Sequence, residues 1–288
     1  MTTKKLIDRV LAASRRIGIL LLAFLMIAGI VGCSPEPAPK LTVYGFPVGA
    51  ADAFLITTEN SAVLIDCASK GDGKQIVNEL KNRGIDRLDC LIVSHFDKDH
   101  IGGAKKVIGS VPADHVFQPA YAKEAEGYAN YVAALSDAGI EAETVTEDLY
   151  FELDGVEYWI NPPAGGYRSN ESNNASLIVS VTNGKDRLLF MGDAESERIA
   201  EFLDRNPGPY DVMKVPHHGR KCKMTSALID SLKPAVAVIT SSAAEPEDEK
   251  VVNWLKQAGA EVYFTRAGAV AIESTGSGVR AYYKTGDR

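Results

Sequence analysis

"LIVSHFDKDHIGG", residues 91–103, begins as a run of apolar strand formers and ends abruptly in polar residues. His95, Asp97, Asp99 and His100 offer four side chains that can ligate a cation within six positions, and Gly102 and Gly103 follow. An apolar strand fixes one end of such a segment. Glycines at the other end let the backbone turn tightly into a helix. The loop between can then aim alternate side chains at two nearby points. Imidazole suits zinc or manganese, and carboxylates suit harder ions or bridge two of them. A polar strand end with a helix cap explains one aspartate, but not two aspartates flanked by histidines.

Three other segments end in the same way. "VLID" carries Asp66 at a strand end, "LLFMGD" carries Asp193, and "MKVPHHG" carries His217 and His218. Four of the five histidines therefore stand at two strand ends. His115 begins a strand and reads as a structural or surface residue.

The surrounding pattern alternates strand and helix. "LTVYGFPV", "DAFLITT" and "SAVLIDC" are β-rich runs broken by turn residues. "GKQIVNELKNRGI" has helical spacing in Ile76, Leu80 and Ile85. "LDCLIVS" is almost wholly apolar, as expected of a strand covered on both faces. The second half repeats the mixture. Two similar halves with outer helices predict two sheets face to face under helices, with the chemistry at strand ends.

The first 32 residues read differently. Lys4, Lys5, Arg9, Arg15 and Arg16 lead into an apolar run, Ile17 to Val31, which ends in "IVGC". That is the layout of an export signal, and the run is short for a membrane span, which needs about 20 residues. Residues 30–33 resemble a bacterial lipobox, which makes Cys33 the lipidated first residue of the mature chain. "SPEPAPK", residues 34–40, reads as an extended tether. The expected organisation is a lipoprotein signal peptide (1–32), a tether (33–40) and one folded domain (41–288), held outside the cytoplasm by lipid on Cys33. Loss of residues 1–32 removes five of 31 basic and one of 38 acidic residues, leaving a net charge of −11. So acidic a chain does not wrap nucleic acid nonspecifically, although cations can hold such a substrate. Cys67, Cys90 and Cys222 remain, an odd number that sets no disulfide framework.

Asp66, then His-x-Asp-x-Asp-His, then Gly-Asp, then His-His-Gly resembles the metallo-β-lactamase superfamily. Within it, residues 94–103 fit every fixed position of the Ser-His-x-Asp-x-Asp-His-x-Gly-Gly motif of the hydrolase domain in ComEC-type competence proteins. Asn173, Asn174 and Ser176 match the Asn-Asn-x-Ser that stands there for a third histidine. The resemblance implies an α/β fold, an αββα four-layer sandwich, with two divalent metal ions (zinc or manganese) at one edge. It implies that Asp99, His100 and His217 hold one metal and His95 and Asp97 the other, with Asp193 bridging. His218 substitutes for His217 or donates to substrate. Asp66 orients the ligand loop, and Asn174 hydrogen-bonds substrate or water, or makes a structural turn. Two cations sharing a water lower its pKa toward about 7 and stabilise developing charge, so catalysis is expected to depend on Asp99.

The chain departs from the pattern at its rim. "PVGAADA" stands where the subgroup has a segment like Asp-Val-Gly-Gln-Gly-Asp-Ala. After His-His-Gly comes "RKCKMT", whose Arg220 and Lys221 form either a phosphate clamp or a solvated turn. The expected substrate is a phosphodiester, with single-stranded DNA as the natural candidate. The alternatives are a hydrolase of another ester or lactone, or a binding lipoprotein that keeps the scaffold without catalysis.

Overall fold

The computed structural model describes residues 38–165 and 169–284. Fifteen strands form two sheets among these residues. The first half supplies β1 (Leu41–Gly45), β2 (Phe54–Thr57), β3 (Ala62–Ile65), β4 (Leu88–Ile92), β5 (Ala113–Pro119) and β6 (Glu143–Val145). The second supplies β7 (Leu149–Leu153), β8 (Val156–Asn161), β9 (Ile178–Asn183), β10 (Asp186–Phe190), β11 (Val212–Lys214), β12 (Val236–Ile239), β13 (Glu261–Phe264), β14 (Val270–Ser274) and β15 (Val279–Tyr283). One sheet runs β15-β14-β1-β2-β3-β4-β5-β6, and the other β13-β12-β11-β10-β9-β8-β7.

The two-halves expectation needs one correction. β14 and β15 return to the first sheet, where β14 pairs antiparallel with β1 from Leu41↔Ser274 to Gly45↔Val270. Alternating apolar residues mark these segments as strands but do not say which sheet receives them.

The period-two pattern assigns each strand face to a layer. In β3, Ala62 and Leu64 face the outer core while Val63 and Ile65 face the other sheet. In β10, Leu188 and Phe190 point inward and Leu189 outward. On the first sheet lie α1 (Gly73–Asn82), α2 (Lys98–Ile101), α3 (Ala104–Ile108) and α4 (Glu126–Ala138), through residues such as Ile76, Leu80, Val107 and Tyr131. On the second lie α5 (Ser196–Asp204), α6 (Thr225–Leu232) and α7 (Glu249–Gln257), through Ile199, Phe202, Leu228 and Val251. The result is the expected αββα sandwich with three apolar layers. Each fully buried Leu, Ile, Val or Phe contributes about 1.5–3 kcal/mol relative to exposure.

The end of the expected tether is part of this body. The Asn183 side chain donates to the Pro39 carbonyl oxygen at 2.9 Å, and Lys40 pairs with Glu273 at 3.7 Å. The leader and Cys33 lie outside the described residues. No helix among the described residues is long and apolar enough to cross a membrane. Cys67 and Cys90 are buried free thiols, and Cys222 is a half-buried one.

Candidate metal centre

Loops after β3, β4, β10, β11 and β12, together with the β1–β2 loop, meet at one edge of the sandwich. Asp99, His100, Asp193 and His218 each present a donor atom there, all within 4.8 Å of one another. His218 Nε2 lies 3.1 Å from Asp193 Oδ2 and 3.2 Å from Asp99 Oδ2. His100 Nε2 lies 3.3 Å from Asp193 Oδ1, off the line a hydrogen bond needs, and so lacks a partner although fully buried.

Both imidazoles are held from behind. Asp66 accepts from the Ser94 backbone N–H at 2.8 Å and from Ser94 Oγ at 2.7 Å, and its Oδ2 lies 2.8 Å from His100 Nδ1. With Nδ1–H donating to Asp66, the Nε2 of His100 faces the cluster. Thr240 Oγ1 donates to Asp52 Oδ1 at 2.7 Å, which leaves its lone pair for His218 Nδ1 at 2.9 Å. The Nε2 of His218 is thereby also turned inward. Fixing the tautomer from the far nitrogen is how metal-ligating histidines are usually oriented.

Strained backbone aims these residues. Asp66 (φ 61°), His217 (φ 50°) and His218 (φ 54°) are left-handed non-glycine residues, each costing on the order of 1–3 kcal/mol. Two such residues in succession set which histidine enters the site. The structure brings His218 in and leaves His217 half-buried, 3.2 Å from Glu195 and within reach of Asn173. His218 thus stands where the resemblance placed His217, the substitution that the resemblance allowed, because consecutive left-handed residues set which side chain faces the cluster.

The glycine pair also has a different reason from the expected one. Gly102 (φ −58°) and Gly103 (φ −81°) need no unusual backbone. A Cβ on Gly102 would overlap the Lys98 carbonyl oxygen, and one on Gly103 the Cys67 carbonyl oxygen. The pair permits the ligand loop to pack against the chain after β3, where Cys67 N–H donates to the His100 carbonyl at 2.7 Å.

Two charged residues of the centre escaped the sequence reading. Lys214, fully buried at the end of β11, donates to the Gly192 carbonyl at 2.8 Å, pairs with Asp52, and lies 3.4 Å from Asp193 Oδ1. A lysine two residues after Val212, on the face directed at the other sheet, was the signal. Asp52 is the one aspartate of "PVGAADA", a segment that lacks the leading Asp and the Gln of the subgroup pattern. It joins Lys214, Thr240 and, across 3.9 Å, His100.

His95 and Asp97 lie beside this cluster, the His95 ring 4.0 Å from that of His100. His95 is fully buried, its Nδ1 is 3.1 Å from Ser94 Oγ, and its Nε2 has no hydrogen-bond partner. Asp97 Oδ2 is 4.0 Å away, while Asp97 Oδ1 accepts from both Lys123 and Ser172. Asn174 is not free to meet substrate. Its Oδ1 accepts from the Glu195 and Arg198 backbone N–H groups, and its Nδ2 donates to Glu197, so it caps α5 from outside. Ser176 Oγ accepts from the Asp193 backbone N–H at 3.2 Å and steadies that residue. Arg220 pairs with Glu245 at 2.5 Å, and the Lys221 backbone N–H donates to Asp248, so this segment is tied as a turn rather than aimed as a clamp. His115 is exposed and pairs with Glu143 at 2.7 Å. Cys222 accepts from Thr225 and joins no donor cluster among the described residues.

The electrostatics of the cluster are dominated by its charged neighbours. Burial alone would push the His100 and His218 pKa values down, but Asp193 and its neighbouring carboxylates outweigh it. His100 is raised well above its usual value, and His218 rises to about 9. Burial would also favour neutral Asp193, yet His100, His218 and Lys214 hold it well below the usual carboxylate range. Burial and the neighbouring His100 charge push His95 down to about 3. Inward-facing nitrogens among carboxylates are a donor set of the kind that holds a divalent cation.

Comparison with known proteins agrees with this geometry. The metallo-beta-lactamase superfamily profile matches residues 46–241, and the chain belongs to that superfamily. It is 29% identical over 213 residues to Recombination protein 2 of Haemophilus influenzae, covering 72% of this chain and 25% of that protein. It is 27% identical over 277 residues to Competence protein ComA of Neisseria gonorrhoeae, covering 93% of this chain and 37% of the relative. The chain thus spans well under half the length of these relatives. Among solved structures, the metallo-beta-lactamase fold protein YhfI from Bacillus subtilis has a TM-score of 0.50 at 13% identity, covering 85% of this chain and 100% of that one. The diiron beta-hydroxylase CmlA from Streptomyces venezuelae scores 0.51 at 14% identity, covering 80% of this chain and 53% of that one. These two show the shared fold. The chain is a hydrolase-superfamily member with competence-protein relatives.

Proposed function

We propose that this protein is a metal-dependent phosphodiesterase that cleaves nucleic acid, with single-stranded DNA its natural substrate, outside the cytoplasm at a membrane to which lipid on Cys33 ties it. The observation that carries the reading is the convergence of Asp99, His100, Asp193 and His218 at one point. The names of the relatives, competence and recombination proteins, favour a nucleic-acid substrate, and the leader sequence favours export. Those four side chains would hold a divalent cation, which when bound supplies Lewis-acid charge and lowers the pKa of a water to be used as nucleophile.

The chain's own groups prepare that step. Asp66 and Thr240 keep the Nε2 lone pairs of His100 and His218 inward. Lys214 offsets part of the negative charge of Asp52 and Asp193, which limits repulsion of an anionic substrate. His95 stays neutral and buried, leaving its Nε2 as an acceptor.

The purified full chain, loaded with manganese or zinc, should hydrolyse bis(p-nitrophenyl) phosphate and a single-stranded oligonucleotide. Asp99→Ala or a chelator should abolish both activities. Inactivity on both substrates with either metal, in protein shown to be folded and metal-loaded, would overturn the reading.

A further inference from the structure

We propose that the ammonium of Lys123, by neutralising Asp97, stands in for the charge of a second metal ion, so that the centre carries one resident divalent cation and one lysine charge. The inference rests on the metal-dependent reading above and concerns how many cations that site accepts.

Lys123 lies in the loop between β5 and α4, far in sequence from both cation-binding motifs. Its Nζ donates to Asp97 Oδ1 and lies 3.2 Å from Ser172 Oγ, which itself donates to the same carboxylate oxygen. The lysine is not delivered there by a loose loop. Two residues earlier, Tyr121 Oη accepts from the Phe96 backbone N–H at 2.8 Å, between His95 and Asp97, and its ring packs 4.8 Å from that of Phe96. Phe96 also packs against Tyr128 and Tyr131 of α4. The lysine loop and the ligand loop are therefore fastened together directly beside Asp97.

The donor count points the same way. His95 and Asp97 supply one imidazole nitrogen and one carboxylate, and Asp97 already has a cation on its other oxygen. They fall outside the clusters of three or more donors among the described residues. Catalytic zinc ordinarily keeps three protein ligands. With Asp97 neutralised by Lys123, a second divalent ion would face an ammonium across the same carboxylate. Lysine carries one charge permanently and needs no loading, so the site gains a second positive charge without a second metal.

The test is metal stoichiometry. The purified full chain is stripped with chelator, reloaded with manganese, desalted and measured by elemental analysis, with electron paramagnetic resonance to detect spin coupling between paired ions. Wild type should hold one equivalent with an uncoupled signal. Lys123→Gln should hold two with a coupled signal, and Lys123→Arg should stay at one. Lys123 is partly exposed, and circular dichroism melting checks that the variants fold. Two equivalents in wild type would overturn the inference while leaving a metal-dependent hydrolase intact. One equivalent in both wild type and Lys123→Gln would show that Lys123 is not what excludes the second ion. No metal in any form would defeat both the inference and the functional reading.

Discussion

Loading the metal-free protein should release about two protons at pH 7. Without metal, His100 and His218 face Asp193 and Asp99, and both have raised pKa values, His218 to about 9. At pH 7 both are therefore protonated. Their Nδ1 protons are committed to Asp66 and Thr240, so the proton that must leave is the one on each inward Nε2. Each displaced proton makes apparent affinity rise about tenfold per pH unit below the histidine pKa. Two displaced protons give about a hundredfold per unit, or roughly 10⁴ between pH 6 and pH 8. Isothermal titration of manganese at pH 7 in buffers of different ionisation enthalpy counts the protons. Chelator competition at several pH values gives the slope. His218→Gln should lower the count by about one. An affinity flat with pH, with less than about half a proton released, would refute the assigned tautomers and the inward direction of both rings.

Lys214→Met leaves Asp52 and Asp193 buried without their shared cation. Breaking a buried pair from one side costs about 3–5 kcal/mol, so the melting temperature in chelator should fall by roughly 6–20 °C for a domain of this size. A shift below about 2 °C would show the lysine to be dispensable. Asn174→Ala removes only the outside cap of α5. It should cost about 1 kcal/mol while leaving the kcat of phosphodiester hydrolysis within about twofold. Metal-free stability should peak near pH 6.5. The raised His218 contributes stability that is fully present below its unfolded value of about 6.5 and is lost as pH rises through about 9. The depressed His95 acts oppositely, its contribution shrinking as pH falls from about 6.5 toward 3. Thermal melts across pH 4–10 in chelator check both limbs, and a monotonic profile would contradict them.

The sandwich was legible because strand faces alternate cleanly and the polar clusters stand at strand ends. "SHFDKDH" and "MGD" pointed to the strand ends where Asp99, His100 and Asp193 present donors to one cluster, but not to the exclusion of His95 and Asp97 from it. What could not be read depends on backbone direction or on distant pairing. Nothing local distinguishes His217 from His218, because consecutive left-handed residues decide which one enters. Asn174 carries the chemistry of a substrate contact, but the N–H groups that claim it belong to α5, about twenty residues on. Lys123 sits in "YAKEAEG", which resembles any solvated approach to a helix. Lys214 was the one missed group with a visible sign, a charge at the end of an otherwise apolar strand. The return of β14 and β15 to the first sheet follows from long-range pairing with β1, which alternation within a strand does not encode.

Anomalous diffraction from crystals of the manganese-loaded protein gives the most direct measurement. A peak bonded to Asp99, His100, Asp193 and His218, with His217 still beside Glu195, is the predicted result. A peak ligated by His217 in place of His218, or no peak at this edge in fully loaded protein, would contradict it.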